Sequence, residues 1–154
     1  MNTSVFEKYE SEVRSYCRNF PAVFTKAKGS YIFAEDGKEY IDLGSGIAVN
    51  AFGYSDDEWV SAVTCQLGKV QHTSNLYYTE PCVSLAKLLC EKTGAKKVFF
   101  GNSGAEANEC AIKIARKYAE DKGIKGAKIV TLNNSFHGRT LATLAATGQD
   151  VFHK

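Results

Sequence analysis

The sequence predicts an α/β fold, with a small antiparallel β-meander leading into the first part of a parallel-sheet domain. Two patterns and one composition point there. Between residues 22 and 43, three short β-type runs are separated by Lys28-Gly29 and Asp36-Gly37, and Asp-Gly between apolar runs is a strong hairpin signal because it tolerates positive φ. From residue 97 the pattern becomes strand, tight loop, long helix, strand, which implies parallel pairing through a right-handed crossover. The 154 residues are 44% hydrophobic and 23% charged, the balance of a packed globular protein rather than a disordered one.

Along the chain, Phe6, Tyr9, Val13 and Tyr16 fall at helical spacing and predict a short amphipathic helix over residues 5–17, closed off by Pro21. Strands are expected over residues 22–25, 31–33 and 39–43. A glycine-rich stretch, Leu43-Gly44-Ser45-Gly46, follows, and then Asn50-Ala51-Phe52-Gly53. Ser55 is the expected N-cap of a helix whose first turn carries Asp56, Asp57 and Glu58, where carboxylates suit the dipole. Trp59, Val63, Leu67 and Val70 form its apolar face. A second helix is expected from near Thr79, with Pro81 early, Leu85, Leu88 and Leu89 buried, and Gly94 as its stop.

Residues 97–100 read as a strand and 101–104 as a tight loop. A long helix over residues 105–121 is expected to bury Ala107, Ala111, Ile114, Ala115 and Tyr118 and to expose Lys113, Arg116, Lys117 and Glu120. Gly123 stops it, residues 127–132 form the next strand, and a further helical segment begins after Arg139. Two parallel strands do not make a sheet covered on both faces, so the sequence reads as an incomplete α/β domain.

Composition and charge exclude several classes. A net charge of +2 without a basic cluster gives no electrostatic footprint for nucleic acid or an anionic membrane. No apolar run approaches a transmembrane length. Glu7, Lys8 and Glu10 stand where a signal peptide needs apolar residues, so a cytoplasmic location is expected. Cys17, Cys65, Cys82, Cys90 and Cys110 contain no CxxC pair and are expected as reduced core thiols. His72, His137 and His153 lack ligand spacing, so no metal is expected.

Two loops carry the chemistry. In Gly101-Asn102-Ser103-Gly104-Ala105 a strand enters a small-residue turn and a helix leaves it. The free N–H groups and dipole of the first helical turn suit an anion, although a Ser before a helix is often only an N-cap. The second loop, Asn134-Ser135-Phe136-His137-Gly138-Arg139-Thr140, lies at the same carboxyl edge of the expected sheet. An aromatic there can stack on a planar group, and an arginine can hold a carboxylate bidentately. Taken singly, Phe136, His137 and Arg139 each also have a plain structural reading.

The run Asn102-Ser103-Gly104-Ala105-Glu106-Ala107-Asn108-Glu109, followed by Ser135-Phe136-His137-Gly138-Arg139-Thr140, resembles the class III (subgroup II) pyridoxal-phosphate-dependent aminotransferases of fold type I, most of all the branch acting on acetylornithine. Three further stretches agree in order: the twelve residues from Tyr31 to Asp42, Ser45-Gly46-Ile47-Ala48-Val49-Asn50, and His72-Thr73-Ser74-Asn75-Leu76-Tyr77-Tyr78. One departure is Gly53-Tyr54-Ser55-Asp56-Asp57, where many relatives carry a Gly-His-x-His-Pro-like run.

This resemblance implies roles. Ser103, Gly104 and Ala105 would bind the phosphate of pyridoxal 5'-phosphate, Phe136 would stack on its ring with His137 beside it, and Arg139 would take the substrate α-carboxylate. Ser45, Gly46, Ile47, Asn75 and Tyr77 would line the substrate cleft, partly across the interface of a homodimer. Residues 1–50 would be the N-terminal segment of the small domain, and 51–154 the first part of the large cofactor-binding domain. The implied reaction moves the terminal amine of N2-acetylornithine to 2-oxoglutarate, in arginine biosynthesis. Ornithine, succinylornithine and 4-aminobutyrate are neighbouring donors, and a non-catalytic phosphate-binding module is the rival from another class. The Schiff-base lysine and the ring-nitrogen aspartate come later in the family, and no lysine here stands in a matching context. The sequence is therefore expected to be an N-terminal fragment without a catalytic residue of its own.

Overall fold

The computed structural model describes residues 22–153, so the helix expected over 5–17 and Cys17 lie outside the described residues. Contacts divide the chain into two compact units, Met1–Tyr77 and Tyr78–Lys154.

In the first unit, β1 (Phe24–Lys28), β2 (Tyr31–Ala34) and β3 (Glu39–Ile41) form an antiparallel sheet in the order β1-β2-β3, the expected meander. β1 begins two residues later than its apolar run, and its register slips between Phe24 and Lys26. The β2–β3 turn places Gly37 at φ 84°, which the Asp-Gly signal requires. Phe24 and Tyr40 meet edge to face at 5.7 Å, and Ala34 is buried.

Gly29 and Tyr54 exchange two backbone hydrogen bonds of 2.8 Å, which tie the β1–β2 turn to the segment before the next helix. Gly53 makes this approach possible: it sits at φ 80°, and a β-carbon there would lie 3.0 Å from the Gly29 carbonyl oxygen. Gly53→Ala should therefore open the bridge, because both the backbone conformation and the contact with main chain resist a side chain. Faster amide exchange at Gly29 and Tyr54, with the β2–β3 amides unchanged, is the expected readout; unchanged protection of the bridge would refute it.

The glycine-rich stretch is not a plain loop. α1 (Ser45–Ala48) is a single left-handed turn in which Ser45, Gly46, Ile47 and Ala48 all have φ between 47° and 63°. Such a conformation costs non-glycine residues about 1–2 kcal/mol each, so the surroundings must impose it. Asp42 does part of this: its carboxylate accepts the N–H groups of Gly44 (2.8 Å) and Ser45 (3.1 Å) and the Tyr54 hydroxyl (2.6 Å). The Tyr54 hydroxyl, then the Gly44 N–H, hold the Asp42 carboxyl below its ordinary range.

α2 (Asp57–Leu67) is capped by Asp56, whose carboxylate accepts the Trp59 N–H at 2.8 Å. The expected cap, Ser55, instead turns at φ 53°. Asp56 wins because it places an acceptor over the third helical N–H while adding negative charge at the positive end.

The second unit contains α3 (Glu80–Thr93), α4 (Gly104–Asp121) and α5 (Leu141–Ala146), followed by a 3₁₀ turn at Asp150–Phe152. Thr79, Pro81 and Gly94 bound α3 as expected, with Gly94 left-handed at φ 74°. α4 ends as expected before Gly123, at φ 69°.

Two expectations fail here. Residues 97–100 and 127–132 are not strands. Extended chain becomes a strand only when its N–H and C=O groups pair along a ladder, and the two segments do not pair with each other. The apolar helix faces are also uncovered among the described residues. Ala107, Ala111, Ala115, Ile114 and Tyr118 on α4 are exposed, the last two at 61% and 62%, and only Ala119 is buried. Trp59, Val63, Leu67 and Val70 are likewise exposed, as are Leu85 and Leu88, while Leu89 is half-buried. Periodicity shows which face can be covered, and burial needs an element lying on it. For the same reason Cys65 and Cys82 are exposed thiols and Cys90 and Cys110 only partly buried, all four free.

Candidate active site

The site is built from the N-terminus of α4 and the loop that precedes α5. Ser103 is the N-cap in extended conformation, and its Oγ accepts the Glu106 N–H at 3.2 Å. Glu106 answers by accepting the Asn102 N–H at 2.6 Å and the Ser103 hydroxyl at 3.2 Å, a reciprocal cap of the Ser-x-x-Glu kind. Hydrogen bonds from Asn102, side chain first and then backbone, hold the Glu106 carboxyl below its ordinary range and keep it charged at neutral pH. The Ala107 N–H goes to the Ser103 carbonyl at 3.0 Å. Gly104 and Ala105 precede these residues, and their N–H groups have no intrahelical acceptor. They stand at the positive end of an 18-residue helix.

A cavity of about 400 Å³ opens at this point, lined by Gly104, Ala105, Phe136, His137 and Arg139 among others. Five of the residues singled out in the sequence therefore share one cavity, and Ser103 caps the helix beside it. A β-carbon on Gly104 would meet nothing within 4 Å, so the backbone is open to close approach there.

The second loop is shaped by buried threonines. Thr143 and Thr147 are 0% and 2% exposed, one turn apart, in the first turn of α5 and at its C-cap. Thr147 Oγ1 accepts the His137 N–H at 3.0 Å and lies 3.2 Å from the Gly138 carbonyl oxygen. Thr140 and Thr143 form a reciprocal cap on α5. From α4, the Asn108 side chain donates to the His137 carbonyl at 2.8 Å, and the Glu109 carboxylate accepts the Thr140 hydroxyl. That hydroxyl is the leading cause holding the Glu109 carboxyl below its ordinary range.

His137 Nε2 is buried without a hydrogen-bond partner. The Arg139 guanidinium lies beside two adjoining rings, 5.2 Å from the centre of Phe136 and 5.3 Å from that of Phe152, within cation–π range of both; the ring centres are 5.9 Å apart. The expected substrate-lining residues Ser45, Gly46, Ile47, Asn75 and Tyr77 belong to the first unit. Ile47 is 95% exposed on the left-handed turn. Asn75 and Tyr77 follow a bend in which Ser74 donates to His72 Nε2 and accepts from the Leu76 N–H, both at 3.2 Å.

Sequence reasoning quoted Asn108, Glu109 and Thr140 within its motifs without giving them a role, and passed over Thr143, Thr147 and Phe152. The signal for the threonines was present: polar residues at 140, 143 and 147, spaced by three and four, mark one helix face. Phe152 gave no local signal.

A sequence model of the family described as "Aminotransferase class-III" matches residues 13–154. An acetylornithine aminotransferase from Haemophilus ducreyi is 54% identical over 136 residues, covering 88% of this chain and 35% of that protein. A succinylornithine transaminase from Photorhabdus laumondii is 48% identical over 150 residues, covering 97% of this chain and 37% of that protein. Among solved structures, the ornithine aminotransferase of Toxoplasma gondii superposes with a TM-score of 0.91 at 27% identity, covering 97% of this chain and 36% of that one. The N-acetylornithine aminotransferase of Stenotrophomonas maltophilia gives a TM-score of 0.74 at 39% identity, covering 86% and 36%. The chain thus spans about a third of the length of the relatives it matches.

Proposed function

Since this chain belongs to the class-III aminotransferases, we propose that it is the part of a pyridoxal-phosphate-dependent aminotransferase that grips the cofactor phosphate and the substrate carboxylate. The observation that carries this reading is the meeting of the Gly104 and Ala105 N–H groups with Phe136, His137 and Arg139 around one cavity.

The residues present fit the cofactor. Two unclaimed N–H groups at a helix N-terminus suit a phosphate, with the Ser103 hydroxyl beside them. The Phe136 ring, half exposed at the cavity, offers a face to a planar heterocycle. The unpartnered His137 Nε2 gives a polar atom beside it. When bound, pyridoxal phosphate supplies the electron sink that makes amine transfer possible. The chain's own part is to bind and orient: α4 holds the anion, Phe136 fixes the ring plane, and Arg139 holds a carboxylate through its planar fork.

The proposed donor is N2-acetylornithine, reacting at its terminal amine, with 2-oxoglutarate as acceptor. Arg139 would then grip the carboxylate end, away from the reacting amine. The relatives named succinylornithine transaminase, at 48% identity, favour N2-succinylornithine as the second reading. Residues 1–50 are assigned to the N-terminal segment and 51–154 to the first part of the cofactor-binding domain. Ser45, Gly46, Ile47, Asn75 and Tyr77 are assigned to the substrate cleft of a cytoplasmic homodimer. No helix among the described residues is long and apolar enough to cross a membrane.

The test is donor preference in the complete protein loaded with pyridoxal phosphate. Glutamate formed from 2-oxoglutarate is followed with N2-acetylornithine, N2-succinylornithine, ornithine and 4-aminobutyrate. The highest kcat/KM is expected with N2-acetylornithine. A clear preference for another donor would replace that assignment, and no glutamate from any would overturn the aminotransferase reading.

A further inference from the structure

We infer that Asn108 and Glu109 are positioning residues that fasten the 136–140 loop to the helix carrying the anion site, and so fix where Arg139 meets the substrate carboxylate. This rests on the functional reading above and adds to it two side chains that act through the loop backbone, Asn108 from the wall of the same cavity.

Several observations converge on one piece of backbone. Asn108 and Glu109 lie about one turn into α4 from Gly104 and Ala105, so the same rigid helix bears the anion-binding N–H groups and the two ties. Asn108 donates to the His137 carbonyl at 2.8 Å, and Glu109 accepts from the Thr140 hydroxyl. The tied positions flank Gly138 and Arg139. On its other side the loop is held by Thr147, through the His137 N–H at 3.0 Å. Gly138 itself is left at φ 131° with no side chain, so its peptide is held by its neighbours. Untying α4 frees the stretch that presents Arg139, while the Gly104 and Ala105 N–H groups stay where they are.

The charge on Glu109 strengthens its tie, because a hydrogen bond to a carboxylate is about twice as strong as a neutral one. Asn108 brings the opposite polarity, a neutral donor aimed at a carbonyl. The two ties differ in chemistry and act on opposite sides of Arg139.

The test compares two donors in the complete, cofactor-loaded protein: N2-acetylornithine and its analogue without the carboxylate, N-acetyl-1,4-diaminobutane. Asn108→Leu keeps the branched shape, Glu109→Leu keeps an apolar stem, and each removes one tie. Each should raise KM for N2-acetylornithine about tenfold more than KM for the analogue, the size expected for one lost hydrogen bond. Glu109→Gln keeps an acceptor for Thr140 and should stay within about threefold of wild type. If Asn108→Leu fails to fold, the Glu109 pair decides the question. Equal losses with both donors, or Glu109→Gln as damaging as Glu109→Leu, would mean general structural support and overturn the inference alone. A wild-type protein that transfers neither amine would overturn the functional reading and this inference with it.

Discussion

Arg139→Ala in the complete protein should lower kcat/KM with N2-acetylornithine by about two to four orders of magnitude. A bidentate guanidinium–carboxylate pair contributes roughly 1.5–3 kcal/mol per charged hydrogen bond, and about 1.4 kcal/mol is tenfold. The guanidinium is also pre-ordered, since it rests against the adjoining rings of Phe136 and Phe152 at 5.2 and 5.3 Å. Little side-chain freedom then remains to be lost on binding. Arg139→Lys should recover only part of the loss, because a flexible point charge reproduces neither the fork nor the stacking. Phe152→Ala should give a smaller fall than Arg139→Ala while leaving the charge in place. The measurement is steady-state kinetics at fixed 2-oxoglutarate; unchanged kcat/KM in Arg139→Ala would show that the carboxylate sits elsewhere.

What could be read in the sequence was local. Ser103 as an N-cap, Pro81 with Gly94, and Asp36-Gly37 act within a few residues of themselves, and each appears where expected. What could not be read depends on distant partners. Residues 97–100 and 127–132 have strand composition, but a ladder needs neighbours that composition cannot supply. The apolar stripe of α4 is real as a pattern, yet Ile114 and Tyr118 are exposed because nothing among the described residues lies on them. The left-handed turn is a different failure. Gly46 announces positive φ, but Ile47 and Ala48 do not, and only Asp42 with its three donors shows how the turn is held. Within the candidate site, the residues that meet the cavity were legible from the family pattern. Apart from Asn108, which also lines it, the side chains that tie the loop down were not, because Glu109 and Thr147 reach Thr140 and His137 across 31 and 10 residues of sequence.

Gly138→Ala should be among the most disruptive single-methyl changes in the second unit, and Gly104→Ala, thirty-four residues earlier, among the mildest for stability. A β-carbon at Gly138 would lie 2.6 Å from Thr143 Oγ1, 2.8 Å from Ala105 Cβ and 3.0 Å from Thr143 Cβ. None of these is the end of a flexible side chain: Thr143 is fully buried and Ala105 is in the first turn of α4. Overpacking of this kind costs about 1–3 kcal/mol, and φ 131° adds a comparable penalty for a residue with a side chain. Relief requires the loop to move away from α4, at the point where Ala105 offers its N–H to an anion. Stability and cofactor retention should therefore fall together. Gly104→Ala places its methyl in open space at the first position of the helix, so the fold should hold while the added carbon obstructs close approach of a phosphate. Urea unfolding and pyridoxal phosphate retention after dialysis, measured on both variants of the complete protein, separate the two effects. If Gly138→Ala unfolds at the wild-type urea concentration and keeps the cofactor, the packing of this loop against α4 is not what shapes the site.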